Sequence, residues 1–222
     1  MLYIGSLVSD KCLETLKKLN IPFTVMPDNL SLPSPLCSHP DMSAVKVCGK
    51  LFSSGDIAKF LNCSDTCEPF GERYPSDVLF NGFTLCGRLF CNVKAFSKSV
   101  IAFAQKSGVE TVNVKQGYAK CSTLVLDDSG IITADTSIAN AAKEFCKVLK
   151  ISEGGILLPP YDYGFIGGAS AVIDSTVYFF GDIASHKNFN EILDFISECG
   201  FTAISLSDEP LFDCGGGIWI DE

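Results

Sequence analysis

Two cysteines in this chain stand beside residues that can make a thiol react. Cys121 follows Lys120, whose positive charge favours a thiolate, and Cys214 lies between Asp213 and Gly215-Gly216-Gly217, a flexible run whose backbone N–H groups can face an anion or oxyanion. A nucleophilic thiol works with a nearby acid or base. The chain offers two histidines for that role. His186 opens a predicted helix and reads as solvated or capping, which leaves His39, two residues before Asp41, with a structural loop role as its plain alternative. A small buried packing residue is the plain alternative for Cys121 and Cys214. The same reading holds for Cys12, Cys146 and Cys199 on apolar faces of predicted helices and for Cys48 and Cys86 before predicted hairpin turns. An odd total of 11 cysteines speaks against a disulfide scaffold, and Cys63-Ser64-Asp65-Thr66-Cys67 lacks a second pair or histidine cluster to complete a zinc site. No metal and no cofactor are expected.

The balance of charge narrows the partners. Lys and Arg total 17 against 26 Asp and Glu, giving a net charge of −9, and the basic residues are scattered, which argues against a nucleic-acid partner. A small-molecule ligand suits such a chain, a cation above all. The N-terminal apolar run lacks the basic flank and length of a signal peptide, and no run reaches the roughly 18 residues of a membrane span. The expectation is a cytoplasmic protein with no membrane partner; a homo-oligomer is compatible with the composition. With 222 residues, 47% of them hydrophobic, the chain can bury a substantial core, and one domain over residues 1–222 is expected.

The elements that must position these residues come in copies. Val47-Cys48-Gly49-Lys50-Leu51-Phe52 reappears as Leu85-Cys86-Gly87-Arg88-Leu89-Phe90, and Gly117 to Asp135 lies without a gap over Gly164 to Asp182. Such periods, of roughly 45 residues, mark propellers or solenoids. Within the long repeat, Lys120 to Leu126 and Ile131 to Ala134 read as a hairpin about Asp127-Asp128-Ser129-Gly130. Asp135 then caps a helix carrying Ile138, Ala142, Phe145 and Leu149, and Ile156-Leu157-Leu158 closes a ββαβ unit. Its copy runs through Ala171–Ile173, Val177–Phe180, a helix stopped by Gly200, and Thr202–Leu206. Two earlier units begin with the hairpins about Cys48-Gly49 and Cys86-Gly87, and Cys63 to Pro75 looks irregular, without a clean third strand. The termini hold complementary halves: Gly215 to Ile220 at one end, and Leu2-Tyr3-Ile4, a helix and Pro22 to Met26 at the other. Joined, they make a fifth unit and remove exposed strand edges.

Five ββαβ units resemble the pentein fold, the α/β-propeller of the guanidino-group-modifying enzymes. The resemblance implies a five-bladed α/β-propeller with pseudo-fivefold symmetry, closed by strands from both termini. His39-Pro40-Asp41-Met42 resembles the segment in which that superfamily grips a substrate guanidinium with an aspartate, which makes Asp41 the cation anchor and His39 the acid or base. Gly164-Phe165-Ile166-Gly167 stands where the enzymes carry Gly-His-x-Asp, so that pair is missing. Asp213-Cys214-Gly215-Gly216-Gly217 resembles the stretch before their catalytic cysteine, and alignment there puts the cysteine position near Asp221. Together with Gln116-Gly117-Tyr118-Ala119-Lys120-Cys121-Ser122, these motifs are most similar to an uncharacterised bacterial branch of the superfamily.

Two functions follow from the resemblance. One is a hydrolase or transferase acting on a guanidine, amidine or related cation, with Cys214 or Cys121 as nucleophile, His39 as acid or base, and Asp41, Lys120, Asp213 and Gly215 holding substrate. The other is a binding protein without catalysis, because the same fold serves in a ribosome anti-association factor. A plain doubly wound α/β domain predicts one strand per helix and does not explain the repeated hairpins. Glycines such as Gly167, Gly168 and Gly215 read first as places where backbones approach closely.

Overall fold

The computed structural model describes residues 1–220. Its strands form five three-stranded sheets. At the N-terminus, β1 (Leu2–Ile4), α1 (Asp10–Lys18) and β2 (Phe23–Val25) lead through a long connection to the one-turn helix α2 (Pro40–Ser43). The next unit is β3 (Val45–Val47), β4 (Lys50–Ser53), α3 (Gly55–Phe60) and β5 (Ser64–Asp65). It is followed by β6 (Phe83–Leu85), β7 (Arg88–Cys91), α4 (Lys98–Lys106) and β8 (Glu110–Asn113). Then come β9 (Thr123–Leu126), β10 (Gly130–Thr133), α5 (Thr136–Ala142) and β11 (Lys147–Lys150), and β12 (Ser170–Ile173), β13 (Thr176–Phe179), α6 (Phe189–Glu198) and β14 (Thr202–Ser205), before β15 (Gly217–Trp219). In each complete unit an antiparallel hairpin is joined by a parallel third strand after the helix. The terminal sheet draws on both ends: β15 runs antiparallel to β1, with Leu2 opposite Trp219, and β1 runs parallel to β2.

Local chemistry accounts for these units. The hairpins turn at Cys48-Gly49 (φ 51° and 73°) and Cys86-Gly87 (φ 48° and 68°), the paired left-handed conformation that matches strand twist in a two-residue turn. Asp127 and Asp174 take the same left-handed first position. Ser9, Ser97 and Asp135 each accept a hydrogen bond from the N–H three residues on, satisfying donors that a helix start leaves free.

Two sequence expectations change. The closing strand of the fourth unit is β11, not Ile156–Leu158, and Leu149 belongs to that strand rather than to the helix. Ile138, Ala142, Phe145 and Leu149 fit a long helix or a short helix running into a strand equally well, so spacing could not separate the two. Leu157 makes an isolated bridge to Phe212 instead. A third strand also exists in the Cys63–Pro75 region: Ser64 and Asp65 pair with Phe52 and Ser53, a ladder too short to leave a sequence pattern.

Five apolar clusters join the sheets in succession. Tyr3 and Ile218 meet Leu51 and Ile57; Val47 and Phe52 meet Leu89 and Val100; Phe83 and Phe90 meet Ile131 and Ile138; Leu126 and Ile132 meet Val177 and Ile192; and Ala171 and Leu206 meet Leu2 and Leu16. The last cluster returns to the terminal sheet where the first began. Each buried Leu, Ile or Phe in these seams contributes about 1.5–3 kcal/mol. Among the described residues, no helix is long and apolar enough to cross a membrane.

Candidate functional site

The first strands of the five units are each preceded by a lead-in segment: residues 39–44, 78–82, 117–122, 164–169 and 213–216. These segments converge. Gly168 faces Asp213 so closely that a Cβ there would lie 1.9 Å from Asp213 Oδ1, and a Cβ on Gly167 would lie 2.3 Å from the Lys120 carbonyl oxygen. A Cβ on Gly215 would lie 2.3 Å from His39 Cα. The packing reading of these glycines therefore holds.

Asn81, fully buried, ties two lead-ins together. Its amide nitrogen donates to the Asp41 carbonyl oxygen (3.0 Å) and approaches Cys121 Sγ (2.9 Å) and Met42 Sδ (3.2 Å), while its Oδ1 accepts from the N–H groups of Lys120 (2.8 Å) and Cys121 (3.2 Å). His39 precedes Pro40, whose ring suits the first position of a helix, and α2 then carries Asp41 inward. As a result His39, Asp41 and Cys121 each present one donor atom within 4.8 Å of the others, all three buried. Among the described residues, neither ring nitrogen of His39 and neither carboxylate oxygen of Asp41 has a hydrogen-bond partner. Buried polar groups are almost always paired, so these orphans make the segment a candidate site.

Asp213 completes the group. Its Oδ2 accepts from the Phe165 N–H (2.8 Å) and its Oδ1 from the Gly215 N–H (3.1 Å). The Gly215 donor is thus spent inside the chain, and the N–H groups of Cys214 and Gly216 both point to the Gly168 carbonyl, so these three donors are not free for an oxyanion. Asp213 Oδ1 lies 3.8 Å from His39 Nδ1, beyond hydrogen-bond range.

Electrostatics follow from burial. Desolvation lowers His39 to about 4, leaving it neutral at pH 7. It raises Asp41 to about 6, against the opposing pull of Lys120, and raises Asp213 to about 7 with help from the negative charge of Asp41. The Cys121 thiol is pushed well above its ordinary range, first by burial and then by Asp41 and Asp213. Lys120 therefore does not produce a thiolate here, contrary to the expectation from sequence. A cation placed between the two carboxylates would oppose all three upward shifts.

Two cavities meet this centre. One, about 260 Å³, is lined by His39, Cys121 and Asp213 together with Tyr118, Tyr161, Asp162, Tyr163 and Phe165. Tyr118 packs near-parallel to Phe165 at 6.3 Å between ring centroids and donates its hydroxyl to Asp77 at 2.6 Å. The second, about 400 Å³, contains Asp41 and Lys120 and takes one residue or more from each first strand, Val45, Phe83, Val125, Val172 and Ile218. Cys214 belongs to neither. It is packed with Cys12, Leu2 and Phe180, with its sulfur 3.9 Å from the Gly168 carbonyl oxygen, and burial raises its thiol well above the ordinary range.

The model for "Family of unknown function (DUF6873)" matches residues 3–218. The chain belongs to that family. No curated protein matches it in sequence. Among solved structures it is similar to DDAH from Pseudomonas aeruginosa, a cysteine-to-serine mutant complexed with citrulline, with a TM-score of 0.55 and 9% identity over 90% of this chain and 81% of that one. A dimethylarginine dimethylaminohydrolase, a histidine-to-glycine variant in an adduct with S-methyl-L-thiocitrulline, is similar at a TM-score of 0.54 and 9% identity, over 90% and 82% of the two chains. At that identity the likeness is one of fold: a mixed α/β architecture of the pentein type. The position near Asp221 expected to align with a catalytic cysteine lies outside the described residues.

Of the residues singled out in the sequence, His39, Asp41, Cys121 and Asp213 converge, Lys120 borders them, and Cys214 and Gly215 serve packing. His186, read as solvated or capping, is 1% exposed, and its Nδ1 accepts from the Asn188 N–H just ahead of α6. Sequence reasoning missed Asn81, Asp77, Tyr161 and Tyr163. Asn81-Gly82 has the composition of an ordinary turn, and its clamp joins segments about 40 residues away on either side, which no local pattern reveals.

Proposed function

We propose that the chain is a single-domain, five-bladed pentein propeller whose centre binds a guanidine, amidine or related small cation and hydrolyses it with Cys121 as nucleophile. The observation that carries this reading is the meeting of His39, Asp41 and Cys121, the ring nitrogens of His39 and the carboxylate of Asp41 unpartnered among the described residues, with His39 and Cys121 on the wall of a cavity with aromatic sides. Two buried carboxylates whose pKa values are raised favour a cation, and flat aromatic walls suit a planar one. In the proposed reaction Cys121 Sγ attacks the central carbon as its proton passes to neutral His39, with Asp213 stabilising the imidazolium. The C–N bond to the leaving amine then breaks, the amine taking that proton, and water cleaves the C–S bond to release a ureido product and the free thiol. Asp41 anchors the cation, and Lys120 tunes the charge of Asp41.

A second reading, binding without catalysis, is favoured by the surroundings of Cys121: burial and the carboxylates of Asp41 and Asp213 raise its thiol well above the ordinary range and so favour the protonated form. A panel of guanidines and amidines, assayed for ureido product and released amine, tests both. The expected outcome is turnover in the unmodified chain, a loss of at least about 100-fold in Cys121→Ser, and no loss in Cys214→Ala. Turnover that survives Cys121→Ser overturns the nucleophile assignment. Binding without product, abolished by Asp41→Asn, assigns the site to recognition alone.

A further inference from the structure

His39, Asp41 and Cys121 supply one nitrogen, one carboxylate oxygen and one sulfur to a single point inside the molecule. We propose that these three side chains form a binding site for a zinc-class metal ion, with the fourth coordination position open to the cavity beside Tyr118 and Phe165. The inference goes beyond the guanidine reading and does not depend on it. A bound ion would use the Asp41 carboxylate and the Cys121 sulfur, so an ion and an organic cation exclude one another.

Five features support the site. The mixed N, O and S donor set is that of borderline-soft ions such as Zn²⁺, and three protein ligands with one open position is the arrangement of zinc sites that keep a water or substrate. All four polar atoms of His39 and Asp41 are buried without partners, so an ion breaks no existing hydrogen bond of theirs. Tetrahedral zinc bonds of about 2.0–2.3 Å place ligand atoms roughly 3.5 Å apart, and the donor atoms here lie within 4.8 Å of one another. Ligation would draw in the widest pair by about 1 Å. Around the ligands, Asn81 fixes Cys121 from the backbone and the side chain, and Asp213 stands 3.8 Å from His39 Nδ1, placed to orient the ring once Nε2 ligates. A divalent ion also balances one carboxylate and one thiolate, which burial alone leaves uncompensated. Spacing could not suggest this site, because His39 and Asp41 precede β3 while Cys121 precedes β9, two units further along the chain.

Cobalt(II) reports directly on thiolate ligation through its sulfur-to-metal charge-transfer band. The reduced full-length chain, stripped with chelator, should take up one Co²⁺ per molecule with that band, and Zn²⁺ should displace it. Cys121→Ser should abolish the band, and His39→Ala and Asp41→Asn should each weaken binding at least tenfold, while Cys63→Ser with Cys67→Ser leaves it unchanged. Far-ultraviolet circular dichroism confirms that each variant is folded, and Zn²⁺ should raise the melting temperature of the unmodified chain but not of Cys121→Ser. The proposal is overturned if the unmodified chain gives no charge-transfer band, or if the band survives in Cys121→Ser. Guanidine turnover that persists without metal, in a chain that fails to bind Co²⁺, would sink the metal site and leave the thiol reading standing.

Discussion

The lead-in to β3 and the lead-in to β12 occupy corresponding places in their units and have opposite chemistry. Before β3, His39 and Asp41 are buried with every side-chain polar atom unpartnered. Before β12, Gly167 and Gly168 carry no side chain at all, and the backbone of residues 120–123 and the carboxylate of Asp213 fill the space a Cβ would need. Where five similar units crowd one centre, there is room for only a few side chains. The glycine lead-in gives up its side chains so that Asp213 and Cys121 can approach, and the polar lead-in uses the room so made. Packing cost is concentrated in one segment and unsatisfied polarity in the other.

That division can be broken most forcefully at Gly168. Replacement by Ala sets a Cβ 1.9 Å from Asp213 Oδ1, and the expected result is a loss of several kcal/mol, on the order of the worst core overpacking, read as a collapse of the urea midpoint. An unshifted midpoint would mean that the glycine lead-in does not constrain the centre.

A smaller effect should appear in the pH dependence of stability, measured in chelator so that the centre stays metal-free. Asp213 and Asp41 are raised from 3.8 to about 7 and about 6, so the folded chain keeps protons that the unfolded chain has released. Their contribution is full below about pH 4 and is lost as pH rises through 6 and 7. His39, lowered from 6.5 to about 4, works in the other direction, contributing above pH 6.5 and losing that contribution as pH falls toward 4. Asp213→Asn removes the largest of these contributions, so between pH 4 and pH 8 the unmodified chain should lose a few kcal/mol more than the variant, at about 1.4 kcal/mol per pKa unit. Parallel stability curves for the two proteins would show that Asp213 is not held protonated by its surroundings.

The smallest effect sharpens the contrast between the two thiols. Cys214→Ala should cost about 1 kcal/mol as a truncated packing residue and leave ligand binding at the centre unchanged. A binding defect comparable to that of Asp41→Asn would place Cys214 in the functional group after all.

Much of the architecture was legible in the chain. The paired hairpins about Cys48-Gly49 and Cys86-Gly87 and the long repeat are local signals, and the complementary termini do pair, β15 with β1. The third strands were less legible, because a two-residue ladder such as Ser64–Asp65 has no period and Lys147–Lys150 continues a helical spacing. Of the site, His39, Asp41 and Cys121 could be picked out by residue type and neighbours, but their mutual distance could not. Asn81 left no signal because its partners lie in other units.

The sequence by itself determined the repeating unit, its turns and caps, and the small set of side chains able to do chemistry, because those depend on interactions a few residues long. Only the tertiary structure separated the surroundings of the two thiols. It packed Cys214 into an apolar seam and put Cys121 beside His39 and Asp41. It also set the surroundings against a thiolate beside Lys120, since desolvation and the carboxylates of Asp41 and Asp213 raise the Cys121 thiol. Burial and long-range approach are properties of the assembled fold, and no run of neighbouring residues contains them.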